Sequence, residues 1–232
     1  EFLQFASITA MLIGGRSWNS FAAKQKLILD DLLKFDSKGQ VTLLHLTDIH
    51  GQLKPIYFRP PSENFGIGDF EGIPPHLVGE AFLKHFNILP NSPLAYAHTM
   101  IDYVPLAIEY GKLGGLDRTA SLINYIRAER GDDKVLLLDG GDTWQGSYTS
   151  LKTQGEDMLT VMNQLKPDAM VGHWEFTFGK DRLNELIEKM NYPFLGGNVF
   201  DTEWDEEVFE STKFFEKGGV KIAVIGQHFP YT

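Results

Sequence analysis

Between residues 135 and 195 the chain alternates short apolar runs with amphipathic segments, and this alternation constrains its fold more than any other feature. Residues 135–138, VLLL, form a continuous apolar run, the pattern of a strand buried on both faces. Residues 156–165 place Met158, Met162 and Leu165 on one helical face, and Pro167 stops them. Residues 169–171 read as a short strand. Residues 181–190 carry Leu183, Leu186, Ile187 and Met190 at i, i+3, i+4 and i+7, the spacing of an amphipathic helix. Residues 193–195 read as another strand. Upstream, residues 41–46, VTLLHL, are a buried-strand candidate, and 116–130 a helix with Thr119, Ile123 and Ile126 on one face. Downstream, residues 213–216 and 220–225 flank Lys217-Gly218-Gly219 as a hairpin. Strands alternating with helices predict an α/β fold of sheet flanked by helices. In such sheets ligands sit at the carboxyl ends of the strands.

The rest of the chain sets bounds on function. Its 232 residues give room for one ordinary domain with added segments. The formal net charge is −10 with no basic run, which weighs against nucleic acid or an anionic membrane surface as the main partner. There is no cysteine, so any metal must be held by His, Asp, Glu, Asn or Gln. No stretch reaches the roughly 20 apolar residues of a membrane span.

The chain opens on Glu1, not Met, and reads as an incomplete or processed product. A mildly apolar segment over 2–13, then Gly14-Gly15, then Ser20-Phe21-Ala22 before Lys24 have the layout of a secretory signal and its cleavage site. Residues 1–23 are therefore read as an export-signal remnant, with an amphipathic helix as the alternative. Residues 24–40 read as a linker or short helix. Residues 52–112, with RPP, IPP and LPNSP, read as a long irregular insertion. It forms either part of a substrate channel or a decorated surface loop.

Candidate ligands fall at three successive strand ends. The first strand runs into Thr47-Asp48-Ile49-His50-Gly51. If extended geometry persists there, Asp48 and His50 point the same way and can share one metal. The second runs into Asp139-Gly140-Gly141-Asp142, where two glycines permit a tight turn and Asp142 offers two oxygens to two cations. The third runs into Val171-Gly172-His173. His45 lies inside a strand candidate and reads as a core histidine. His76, His85 and His98 are scattered through the Pro-rich stretch in no ligand pattern.

Asp-x-His, then Gly-Gly-Asp, then Gly-His-x-Glu, each closing a strand, resembles the calcineurin-like metallophosphoesterase pattern from about residue 41 onward. The resemblance implies layered sheets flanked by helices, with residues 41–232 forming a catalytic domain truncated before its end. It implies that Asp48 and His50 bind a first ion, that Asp142 bridges two, and that His173 binds the second where the family has Asn. It also implies further ligands beyond Thr232. His suits Mn, Zn or Fe, so that exchange preserves binding.

In the third loop, GHWEFTFG, Trp174 and Thr177 stand where secreted 5′-nucleotidases of the family carry a His–Asp dyad. Trp has one donor, no acceptor and no titration near neutral pH. Those nucleotidases share the Gly114–Arg118 segment, GGLDR. The loop, together with GGDTWQG over 140–146 and GQHFPYT over 226–232, is more similar to the SoxB-type thiosulfohydrolase branch. That branch implies two divalent ions, manganese first and zinc or iron as alternatives. It implies a cysteine S-thiosulfonate on the SoxYZ carrier arm as substrate, a periplasmic location, and a twin-arginine signal whose tail Glu1-Phe2-Leu3-Gln4 resembles. Glu175 either orients a ligand or supports the site from behind. Trp144 and Trp174 either wall the carrier arm or pack in the core. Arg118 either meets the sulfonate or forms a structural ion pair.

Overall fold

A computed structural model describes residues 38–58 and 66–229. The export-signal reading of residues 1–23 and most of the linker reading of 24–40 lie outside the described residues. The described chain forms two compact units, Lys54–Arg118 on the one hand and residues 38–53 with 119–229 on the other.

The second unit is built on four parallel strands, β1 (Thr42–Leu46), β2 (Val135–Asp139), β3 (Ala169–Val171) and β4 (Phe194–Leu195), in that spatial order. Leu46 pairs with Asp139, Asp139 with Met170, and Val171 with Leu195, so the strand ends that lead into the ligand loops are in register. The apolar run of β2 is the most buried, with Leu137 fully so. Helix α4 (Leu116–Arg130) buries Ile123 and Ile126. Helix α6 (Glu156–Leu165) buries Met158, Leu159, Met162 and Leu165, the face its spacing predicts. Helix α7 (Lys180–Glu188) buries Leu183 and Leu186. A short helix not foreseen in the sequence, α5 (Tyr148–Thr153), follows the second ligand loop; the Ser147 side chain caps it by accepting from the Ser150 amide at 3.1 Å.

β5 (Thr212–Lys217) and β6 (Val220–Ile225) form the expected antiparallel hairpin around Gly218-Gly219, both at positive φ. Lys217 Nζ lies 2.8 Å from Asp168 Oδ1, and Asp168 Oδ2 accepts the Leu137 amide at 2.8 Å, which ties the hairpin to the sheet. At its far end Gly197 donates to the Gly226 carbonyl at 2.9 Å, setting the chain after β6 beside the chain after β4.

The first unit departs from the irregular insertion expected of its prolines. It holds helices α1 (Gly79–His85), α2 (Pro93–His98) and α3 (Tyr103–Tyr110). Pro93 opens α2 and Pro105 lies in the first turn of α3, where no intrahelical N–H is needed. Two small cores hold the unit together: Tyr96, Leu106, Ala107 and Leu113, and Leu83, Ile88 and Ala95. Helices of one or two turns are too short to show a 3.6-residue period, which is why the prolines dominated the sequence pattern.

Candidate metal centre

The loops after β1 and β2 run side by side beyond the sheet. Asp48 donates to the Gly141 carbonyl at 2.9 Å, His50 to that of Asp142 at 2.9 Å, and Gly51 to that of Thr143 at 3.1 Å. Asp48 and His50 do converge, but not by continued extension. Both adopt left-handed backbone, φ 55° and 52°, and Asp142 does too at 56°. Such conformations cost about 1–3 kcal/mol each and persist where the surroundings over-determine them. Three at one spot mark a site whose side-chain directions outweigh backbone comfort.

Ligand atoms of Asp48, His50 and Asp142 all lie within 4.8 Å of one another. His50 Nε2 is 3.7 Å from Asp48 Oδ1 and 3.5 Å from Asp142 Oδ2, and His173 Nδ1 is 3.6 Å from the same Asp142 Oδ2. Two ligands of a tetrahedral Zn-like ion lie about 3.4 Å apart, from bond lengths of about 2.1 Å. The spacings fit an ion between the donors better than a direct hydrogen bond. His173 Nδ1 is buried with no hydrogen-bond partner among the described residues. Buried polar atoms without partners are rare, and a cation is one thing that satisfies them. The donor set therefore fits divalent metal, with Asp142 Oδ2 placed between two imidazoles.

A buried carboxylate fixes two of the loops. Glu175 is fully buried. Its Oε1 accepts the amides of Thr143 at 2.7 Å and Trp144 at 3.1 Å, and its Oε2 those of Asp142 at 3.0 Å and His173 at 2.7 Å. Of the two readings of Glu175, the geometry is that of a residue orienting the ligand loops through their backbone. The loops approach so closely at Gly141 (φ 87°) that a Cβ there would sit 2.7 Å from the Val171 carbonyl and 2.8 Å from the His173 amide nitrogen. Gln145 Nε2 donates to Asp142 Oδ1, leaving Oδ2 toward the histidines.

The remaining sequence candidates are dispersed. Trp144 is wholly buried, tilted against Phe194 at 6.3 Å between ring centres, and packs as core. Trp174 is 43% exposed beside His173 and can wall a substrate. Thr177 Oγ1 donates to the Trp174 carbonyl at 2.6 Å and is engaged within the loop itself. Arg118 belongs to the other unit, where its Nη1 donates to the Lys112 carbonyl at 3.2 Å.

Sequence reasoning passed over two residues. Asp139 Oδ1 accepts the Gly141 amide at 3.0 Å and the Thr143 hydroxyl at 2.8 Å, bracketing Asp142, and burial pushes its carboxyl up to about 7. His228 packs beneath Gly172 and donates no ligand atom to the centre. Both follow the same signal as the ligands, a polar residue at a strand end, but lack the spacing that singles a ligand out.

No family model matches the chain. Over 121 residues, 51% of the chain, it is 37% identical to a 5′-nucleotidase of Vibrio vulnificus, of which it covers 22%. It is 35% identical to the protein UshA of Salmonella pullorum over 121 residues, again 22% of that protein. Among solved structures, the sulfate thiohydrolase SoxB of Thermus thermophilus superposes on 85% of the chain with a TM-score of 0.77 at 36% identity, and 37% of SoxB is covered. A 5′-nucleotidase precursor, also of Thermus thermophilus, superposes on 82% of the chain with a TM-score of 0.53 at 20% identity, 29% of it covered, a likeness of fold. The chain thus spans about a fifth of the length of these curated relatives.

A parallel sheet flanked by helices, with carboxylates and imidazoles gathered beyond its carboxyl edge, defines an α/β protein with a candidate metal centre. In sequence and fold the chain is similar to a part of the calcineurin-like, 5′-nucleotidase superfamily.

Proposed function

We propose that the protein carrying this chain is a periplasmic metal-dependent hydrolase that releases sulfate from a cysteine S-thiosulfonate on the SoxYZ carrier. The carrying observation is the third ligand loop, where Trp174 and Thr177 leave no His–Asp dyad beside His173. The likeness to SoxB, at a TM-score of 0.77 against 0.53 for the nucleotidase precursor from the same species, supports the same reading.

In this reading Asp48 and His50 would hold one divalent ion and His173 a second, with Asp142 available to both, manganese first and zinc or iron as alternatives. When bound, such ions lower the pKa of water into the neutral range and neutralise an oxyanion. The chain's residues do the rest. Glu175 and Asp139 hold the loop of Asp142, and Trp174 offers an apolar wall to an incoming carrier arm. In the overall reaction water oxygen becomes bonded to the sulfonate sulfur, and the S–S bond breaks with its electron pair left on the carrier persulfide. Two protons and sulfate are released, and nothing is oxidised or reduced. A persulfide is a far weaker base than an alkoxide, so its departure needs little proton donation.

The second reading, a 5′-nucleotidase or other phosphoesterase, is favoured by the names of the curated relatives. The manganese-loaded protein is to be offered a thiosulfonate-loaded carrier and a nucleoside monophosphate side by side. Sulfate release with negligible phosphate release is the expected outcome; the reverse establishes the nucleotidase reading. Metal analysis of the same sample that finds no bound transition metal overturns both.

A further inference from the structure

His228 lies outside the ligand set yet is one of the most thoroughly built side chains in the unit. It is 6% exposed, and its ring is enclosed by Phe176 at 5.0 Å, Phe194 at 5.4 Å and Phe209 at 6.1 Å between centres. Its backbone is locked by Asn198, whose Oδ1 accepts the His228 amide at 2.8 Å and whose Nδ2 donates to the His228 carbonyl at 2.7 Å. The ring therefore has one position available to it, and in that position Nδ1 meets Gly172.

The Gly172 amide points at Nδ1 from 3.0 Å, and the Gly172 carbonyl lies 2.8 Å from the same nitrogen. With Nδ1 bare the Gly172 amide donates to it and the ring hydrogen of a neutral imidazole sits on Nε2; with Nδ1 protonated it donates to the Gly172 carbonyl, and either tautomer ties the ring to the residue before His173. Nε2 is buried and makes no hydrogen bond of normal geometry; the backbone acceptor on that side is the Leu195 carbonyl. The phenylalanine surroundings hold the ring below its ordinary pKa and so favour the neutral form.

Gly172 immediately precedes His173, whose own amide is fixed by Glu175 at 2.7 Å. The backbone entering His173 is thus gripped from both sides, by Glu175 at one amide and by His228 at the one before it. We propose that His228 is a positioning residue for His173, acting through the Gly172 amide on Nδ1 and thereby setting the affinity of the second ion. The proposal rests on the two-ion reading of the centre. It concerns the loop rather than the reaction, so it can fail while the hydrolase reading stands.

The test uses two near-isosteres that separate the ring nitrogens. His228→Asn keeps an acceptor close to the place of Nδ1, His228→Gln reaches toward the place of Nε2, and His228→Ala removes both. Metal-free protein is titrated with manganese by calorimetry, and the exchange-coupled signal of the manganese pair is followed by electron paramagnetic resonance. The expected result is that the Ala and Gln variants bind the second ion about tenfold or more weakly with the first ion unchanged, while Asn restores it. Equal behaviour of Asn and Gln, or equal loss at both ions, overturns the proposal. Nitrogen-15 resonances of the His228 ring in the unmodified protein give an answer independent of any variant's folding. Nδ1 bare and Nε2 protonated is expected, and a proton on Nδ1 overturns it.

Discussion

The two sides of the candidate centre are held by different means. Asp48 and His50 keep side chains that are 56% and 44% exposed, on a loop fixed by three backbone pairings to the loop of Asp142. Asp142 has a side chain only 4% exposed, in a loop whose amides converge on the buried carboxylate of Glu175. One side is open, and the other is packed from behind. The comparison teaches where precision and access are divided. The carboxylate that two ions would share sits on the rigid side, while the solvent-exposed ligands sit on the side held by backbone pairing.

The sharpest way to break this contrast is to remove Glu175. Glu175→Ala leaves four amides without an acceptor in a site closed to solvent. Each orphaned donor costs about 1–3 kcal/mol, non-additively, so a loss of about 4 kcal/mol of stability is expected in urea unfolding. Glu175→Gln keeps the shape but turns an N–H toward the amides, and about half that loss is expected. A loss below about 1 kcal/mol for Glu175→Ala would show that the packed side does not depend on it.

Next come two glycines of the loop after β2, Gly141 facing the packed side and Gly146 facing His50 of the open side. Gly141→Ala meets backbone atoms of β3 and the His173 loop at 2.7 and 2.8 Å from a φ of 87°, and should cost about 2–3 kcal/mol. Gly146→Ala (φ 119°) meets His50 Cβ at 2.7 Å and its Nδ1 and carbonyl oxygen at 2.9 Å, two of the three being side-chain atoms on the open side, and should cost about 1–2 kcal/mol. Thermal unfolding ranks them; the reverse order contradicts the assignment of the rigid side.

The same contrast explains what the sequence made legible. The four strands, the long helices and the hairpin at Gly218-Gly219 follow from local period and turn chemistry. The candidate ligands were legible because strand ends in α/β sheets converge and their residue types suit a metal. Glu175 stood out by its place in the third loop, but its amide partners at Asp142, Thr143 and Trp144 lie more than thirty positions away and could not be read from the sequence. The left-handed turns at Asp48 and His50 were equally hidden: Asp and His tolerate that region more readily than most residues, and tolerance leaves no pattern. His228 and Asp139 act through backbone neighbours of ligands, which only the folded chain brings together. The helices of Lys54–Arg118 were lost for another reason, being one or two turns long, two of them with a proline in the first turn.

Asp139 tests the packed side through pH. Burial raises its carboxyl from an ordinary 3.8 to about 7, so between those values the folded chain holds a proton that the unfolded chain releases. The favourable protonated form is fully present below about pH 4, and stability falls as pH rises toward about 7, then levels. Asp139→Asn removes this slope. Relative to the unmodified protein, both metal-free, the variant should gain about 4 kcal/mol between pH 4 and pH 8, about 1.4 kcal/mol for each pKa unit of the shift. An identical pH profile for the two proteins in chemical unfolding rejects a buried, proton-holding Asp139.

The smallest expected effect is the most specific to function, because it adds machinery rather than removing it. Trp174 is 43% exposed and offers no titrating group, and the Thr177 hydroxyl is occupied with the Trp174 carbonyl at 2.6 Å. Trp174→His combined with Thr177→Asp restores on this loop the residue types of the nucleotidase dyad, while leaving Glu175 and His173 as they are. A general acid accelerates a step in proportion to the basicity of the leaving group it protonates. A persulfide departs readily without one, so thiosulfonate hydrolysis should change by less than about twofold, while hydrolysis of a nucleoside monophosphate should rise. A large gain on the thiosulfonate would mean that proton donation limits that reaction too, and that the open side lacks a group which its leaving atom needs.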